Sequence, residues 1–356
     1  MIPKFDPKEL EVVGKMPSYM GGYEIPIFKY PVTPKEAFKS ALARKPYWQI
    51  NQATEGLIFT PKCNPDNIAR GFVFDGTRTP PTGGIDMFGI EWEYVPKVGG
   101  SMVRPGKPYI SDASELPEKV VWPNIDEWEW EESAKANEQY LATSQFNMCW
   151  FLNGWYERLI SFMDFEGAIM AIFDEDSQPY VKDFFDRLSD LYIRIFEKYL
   201  EYFPQIDGFC IHDDWGSQKE TFFSPAVVEE MIVPYMKRVT DFLHSKGKFC
   251  ELHSCGQLLK QVPNMIKAGW DSWNPQLMND THKIYELYGD QILVGVAPDP
   301  VDPNATEEEL RQAARDYAAK FCNPDKPSLL NTYSSRQMPP AFHEELYKQS
   351  RINYSK

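Results

Sequence analysis

The sequence predicts an α/β protein, a (β/α)8 TIM barrel with an N-terminal extension, and three observations lead there. Apolar runs of strand length alternate with helix-length amphipathic segments, the pattern of βα units on a parallel sheet. Eight such runs occur: 47–53 (YWQINQA), 69–74 (ARGFVF), 145–152 (QFNMCWFL), 206–212 (IDGFCIH), 248–254 (KFCELHS), 270–274 (WDSWN), 291–297 (QILVGVA) and 327–333 (PSLLNTY). The chain has 356 residues, a length at which α/β barrels run as one domain.

Along the chain, residues 1–31 carry five prolines and a Gly-Gly pair at 21–22 without a sustained period. They read as an extended arm lying on the surface or on a neighbouring subunit, an arrangement that admits a homodimer. The barrel then spans 32–356. Thr33-Pro34-Lys35-Glu36 forms a capping box with proline at the first helical position, opening a helix that runs to about Ala43. Residues 75–130 are rich in Gly, Pro and Trp, with hairpin pieces at 90–95 and 101–104, and read as an excursion that could cover a pocket. Helices fit 155–172, 178–202, 257–268 and 305–321, the last with Glu307, Glu308 and Glu309 at the positive end of its dipole. The best-marked helix is 225–246: Ser224 caps it and Val228, Met231, Tyr235, Val239 and Phe242 keep a helical period up to Gly247. Pro234 should kink it.

Composition narrows the function. Apolar residues make up 43% and charged residues 25%, with no stretch near the roughly 20 apolar residues that cross a bilayer. The N-terminus MIPKFDPKEL lacks the basic start and apolar run of a secretory signal. Six dispersed cysteines read as reduced thiols, so a cytoplasmic location is expected and no membrane partner. A formal charge of -15 without a Lys/Arg stripe argues against nucleic acid. The Gly pairs lack the strand-Gly-helix context of phosphate binding, and no GxSxG appears.

In a barrel the chemistry sits at the C-terminal strand ends. KFCELHSCG (248–256) is such an end, and strand alternation puts Glu251, His253 and Cys255 on one face. Residues two apart lie about 6.6 Å apart along a strand, so His253 and Cys255 reach one ion only if the strand curls, as Gly256 would permit. A thiolate beside an imidazole suits Zn²⁺; the plainer reading is a packed Cys and a hydrogen-bonded His. The preceding strand ends in IHDDWGSQ, where His212, Asp213 and Asp214 could orient a ligand, bind metal or handle a proton, or where one acid caps the turn. DMFGIEWEYVP (86–96) is either a pocket wall or a half-exposed strand. Asp86 and Trp92 there, with Trp215 and Asn274 at later strand ends, are candidate substrate contacts.

Taken together, TPKEAF, DMFGIEWEYVP, IHDDWGSQ with SPAVVEEMIVPYMK, and HSCGQL with GWDSWNPQ resemble the uroporphyrinogen decarboxylase superfamily over roughly residues 32–335, most of all its corrinoid-dependent methyltransferase branch. The resemblance implies a (β/α)8 barrel. Decarboxylases of the family carry an Arg-rich segment after the first strand; here it reads NQATEGLIFTPK, which argues against porphyrinogen. Zinc members take ligands from an H-x-C motif, matched by His253 and Cys255, and from a later Cys; here that turn reads NTYSSRQMPP. Cys322 precedes the last strand, so Glu251, Asp214 or Tyr333 would complete a zinc site. The altered site implies removal of a methyl group from a small methylated donor, such as a methoxylated aromatic, onto a corrinoid supplied by a partner protein. Zinc, or a proton donor among His212, Asp213, Asp214 and Tyr333, would activate the ether oxygen. The alternatives are a decarboxylase of a small acid and a non-catalytic subunit of a methyl-transfer complex.

Overall fold

The computed structural model describes residues 2–16, 24–97, 99–331 and 339–356. The chain divides into two compact units, Met1–Leu57 with Ser144–Phe146 and Asp271–Lys356, and Ile58–Thr143 with Asn147–Trp270. Among the described residues, seven strands alternate with helices: β1 (Gly56–Phe59), β2 (Phe146–Phe151), β3 (Gly208–His212), β4 (Phe249–His253), β5 (Ser272–Trp273), β6 (Leu293–Val296) and β7 (Leu329–Leu330). This is an α/β protein, with seven such strands where the sequence suggested eight.

Six of the expected strands form and two do not. At 47–53 the side chain of Asn51 accepts the Ala53 N–H and starts a helical turn, Gln52–Glu55, so the strand begins later, at Gly56. Trp48 and Ile50 are buried all the same; an apolar run marks burial, and here burial comes without a ladder. At 69–74 Asn64 caps a helix, Pro65–Ala69, and Gly71 at φ 65° ends it in the left-handed region. Only Phe74 then reaches a bridge, antiparallel, to Thr60.

In the 147–270 unit, β2 pairs in parallel with β3 and β3 with β4, with His212 directly opposite His253. Every residue of β3 is buried, as for a parallel strand covered on both faces. The helix Trp155–Phe173 breaks at Asp164 (φ 64°), and the helix after it is Gln178–Tyr202. The expected helix 225–246 is two, Pro225–Met231 and Val233–Ser245: Pro234, which lacks an N–H, sits at the second position of the latter. The 75–130 excursion holds a three-stranded antiparallel sheet, Gly83–Ile85, Glu91–Val95 and Gly100–Val103.

In the other unit, β5 pairs in parallel with β6 and β6 with β7. The capping box at Thr33 forms, opening Pro34–Leu42, and a second at Thr306 opens Glu307–Phe321. The N-terminal segment is more ordered than an arm. It makes a short 3-10 helix, Pro7–Leu10, and an antiparallel pair, Val12–Met16 with Ile25–Phe28. It docks on its own chain: buried Arg351 donates from Nε to Glu9 Oε2 at 2.8 Å, and Tyr347 Oη donates to the same oxygen at 2.7 Å. No helix among the described residues is long and apolar enough to cross a membrane.

Candidate functional site

The chemistry-bearing side chains of the 147–270 unit meet where β3 and β4 end. One ligand atom each from His212, Asp214, His253 and Cys255 lies within 4.8 Å of the other three. The ladder places His212 beside His253, and alternation sends Asp214 and Cys255 to the same side. Cys255 Sγ comes within 3.6 Å of His253 Nε2, closer than an extended strand permits. The curl is made at Gly256, whose φ is 104° and where a Cβ would stand 2.4 Å from the backbone of Gly216. Only glycine lets the two strand-end loops approach this closely, and Gln257 N–H donates to Ser217 O across them at 2.8 Å.

Asp214 ties the group together. Its Oδ1 lies 3.0 Å from His212 Nε2 and accepts the Cys255 N–H at 2.6 Å. Burial works against its charge, but His212 beside it outweighs that and holds the carboxyl well below the usual range. Conversely, burial pulls His212 down while the Asp214 carboxylate lifts it well above 6.5. His253 goes the other way: burial, then the charge of His212, lower it to about 4. It is a neutral imidazole at pH 7, the form that ligates a metal. Burial also raises the Cys255 thiol. Nitrogen, sulfur and oxygen donors gathered this closely fit Zn²⁺.

Asp213 faces the other way. Fully buried, it accepts the Glu157 N–H at 2.8 Å and the Trp215 indole N–H at 3.0 Å, and burial pushes it up to about 7. Gly154 is required beneath it, since a Cβ there would lie 2.5 Å from that of Asp213. The pair Asp213 and Trp215 therefore anchors the start of the helix Trp155–Phe173. Glu251 lies two pairs deeper than His253, opposite Cys210, whose thiol donates to it at 3.7 Å; it is not one of the four clustered residues. Asp86 is sealed, accepting from the Phe88 and Ile90 N–H groups, the Trp92 indole and Arg158. Asn274, in the other unit, donates to Gln52 Oε1 at 2.7 Å, and Cys322 in that unit donates to Gln49 Oε1 at 3.3 Å. Tyr333 lies outside the described residues.

Two further residues border the cluster. The Trp150 ring is 5.1 Å from that of His253. Arg70 Nη2 lies 3.0 Å from His212 Nδ1, its Nη1 donates to Glu157 Oε2 at 3.0 Å, and its guanidinium sits 4.8 Å over the Trp92 ring. The run ARGFVF hid Arg70 by reading as a strand. The Asn64-Pro65 cap was the available signal, because it turns the segment into a helix ending at Arg70.

No family model matches the chain. No curated protein matches it either. Among solved structures it is similar to a methyltransferase from Methanosarcina mazei, at 16% identity and TM-score 0.55, over 90% of this chain and 98% of that one. At that identity the likeness shows the fold alone. Weaker likenesses are a B12-independent methionine synthase from Shewanella sp. W3-18-1 (12% identity, TM-score 0.38, 97% and 96% covered) and a 2,3-dimethylmalate lyase (8%, 0.34, 86% and 83%).

Proposed function

We propose that this protein moves a methyl group from a small methylated donor, a methoxylated aromatic, to the cobalt of a corrinoid carried by a separate protein. The observation that carries this reading is the meeting of His212, Asp214, His253 and Cys255 at adjacent strand ends. The fold shared with a methyltransferase at TM-score 0.55 and the H-x-C resemblance support it.

In this reading His253, Cys255 and Asp214 would hold a zinc ion, Asp214 being the completing ligand that stands in the cluster. When bound, the ion supplies Lewis acidity toward the ether oxygen. His212 carries the proton. Its position on Asp214 favours the imidazolium, which protonates the departing oxygen as the C–O bond breaks and the methyl carbon takes an electron pair from Co(I). The products are a phenol and a methylated Co(III) corrinoid, so atoms and charge balance. Trp150 beside His253 offers a flat wall to an aromatic donor.

Zinc content and corrinoid methylation test this together. One zinc per chain is expected, lost in His253→Ala and Cys255→Ala along with methyl transfer. His212→Asn should keep the zinc and lower kcat by about 100-fold, the usual loss on removing a general acid. Full turnover in Cys255→Ala would sink the site.

A further inference from the structure

Beyond His253 the parallel ladder between β3 and β4 is continued by side chains. With His212 opposite His253, Asp213 N–H donates to His253 O at 2.9 Å. In register, the next bonds would run from Cys255 N–H to Asp213 O and from Trp215 N–H to Cys255 O. Here Cys255 N–H goes to Asp214 Oδ1 at 2.6 Å, and Trp215 N–H goes to Ser254 Oγ at 3.2 Å. Backbone pairing returns at Gln257, whose N–H reaches Ser217 O, two residues further along than the same register would put it. The two side-chain rungs therefore cover the stretch in which Cys255 turns inward at Gly256. Trp215 and Ser254 are both buried, so the turn needs an acceptor that leaves no donor stranded, and the Ser254 hydroxyl is that acceptor.

We infer that Ser254, the middle residue of the H-x-C segment, is a positioning residue: its hydroxyl holds the Trp215 N–H, which fixes the adjoining Asp214 and keeps Cys255 turned toward His253. Asp214 then fastens Cys255 through the backbone N–H while standing beside His212. The role belongs to the hydroxyl oxygen as an acceptor, so threonine serves at this position and valine, its isostere without the hydroxyl, does not. This rests on the proposed function for the identity of the ion; the curl is a property of the chain and stands apart from metal and corrinoid.

Two measurements on the full-length protein test it, one without metal and one with Co²⁺ as the probe ion. In metal-free protein with isotope-labelled cysteine nitrogens, the Cys255 amide, identified by its loss in Cys255→Ala, should resonate at low field because it donates to a carboxylate. It should stay there in Ser254→Thr and move upfield in Ser254→Val. Titrated with Co²⁺ and followed by thiolate-to-cobalt absorption, Ser254→Thr should bind like wild type. Ser254→Val should bind about 10- to 100-fold more weakly, the usual loss when a group that orients a ligand is removed. Ser254→Ala also lacks the hydroxyl and adds no bulk, so it should follow Ser254→Val and replaces it if the larger side chain does not fold. A Cys255 amide that is unmoved without the hydroxyl, or Co²⁺ affinity equal to wild type, overturns the inference. A wild type that binds no Co²⁺ while the amide still moves would sink the zinc reading and leave the positioning role standing; Co²⁺ bound equally by all variants would do the reverse.

Discussion

Two charged clusters in the 147–270 unit's half of the chain are built from similar residues and differ in what surrounds them. In one, Arg158 lies between Asp66 and Asp86, donating to Asp86 Oδ2 at 2.6 Å and to Asp66 Oδ2, with Asn153 adding 2.8 Å to the latter. All three charges are at most 1% exposed, and burial raises Asp86 although Arg158 opposes it. In the other, Asp214 is 26% exposed and shares its site with two imidazoles and a thiol. A sealed cluster can only hold its own parts together: here it fastens the 75–130 excursion to the helix Trp155–Phe173. A cluster that mixes donor types and keeps an open side can take a ligand.

Breaking the sealed cluster should have the largest effect. Arg158→Met leaves two buried carboxylates without their cation, and about 3–5 kcal/mol of stability should go in a urea melt. A loss under about 1 kcal/mol would mean that water reaches the cluster.

A sealed histidine sharpens the contrast through pH. His343, 8% exposed and stacked on Phe28, is lowered by burial to about 4. Its folded value lies below the ordinary 6.5, so the unfolded chain binds the proton first. Its contribution is whole above pH 6.5 and disappears as pH falls through 4, up to about 3 kcal/mol in all. Urea melts at pH 7.5 and 4.5, a window that covers most of that loss, should differ by about 2.5 kcal/mol less in His343→Phe than in wild type.

The neighbours Asp213 and Asp214 give the same contrast inside one dipeptide. Asp213→Ala strands two buried donors, the Glu157 N–H and the Trp215 indole, and should cost about 2 kcal/mol. Asp214→Ala should cost less than about 1 kcal/mol and show its effect instead in zinc affinity. If Asp213→Ala released zinc and left stability untouched, the assignment of the two faces would be reversed. The smallest stability effect is expected for Cys255→Ala, within about 0.5 kcal/mol, with zinc lost.

Much of this was legible from the chain. The capping boxes at Thr33 and Thr306 and the bounds of the helix Gln178–Tyr202 follow from local rules, because caps and helical periods involve residues within a turn or two of one another. The suspicion attached to His212, Asp214, His253 and Cys255 was local too, resting on alternation and on polar strand ends. Burial misled where it came without a ladder: Ile50 is as buried as any strand residue, yet the Asn51 cap made the next residues helical.

What the amino-acid order determined by itself was therefore the class of most elements, six of the eight expected strands among them, and the face on which each suspect stands, since both depend on the 3.6 and 2.0 residue periods of neighbouring positions. Only the tertiary structure decided who meets whom. The register that puts His212 opposite His253, the approach of Gly256 to Gly216 that curls Cys255 inward, and the arrival of Arg70 from 142 positions away are long-range facts. They decided that Asp214 rather than Glu251 joins the cluster, and that Asp213, its neighbour in sequence, belongs to the core.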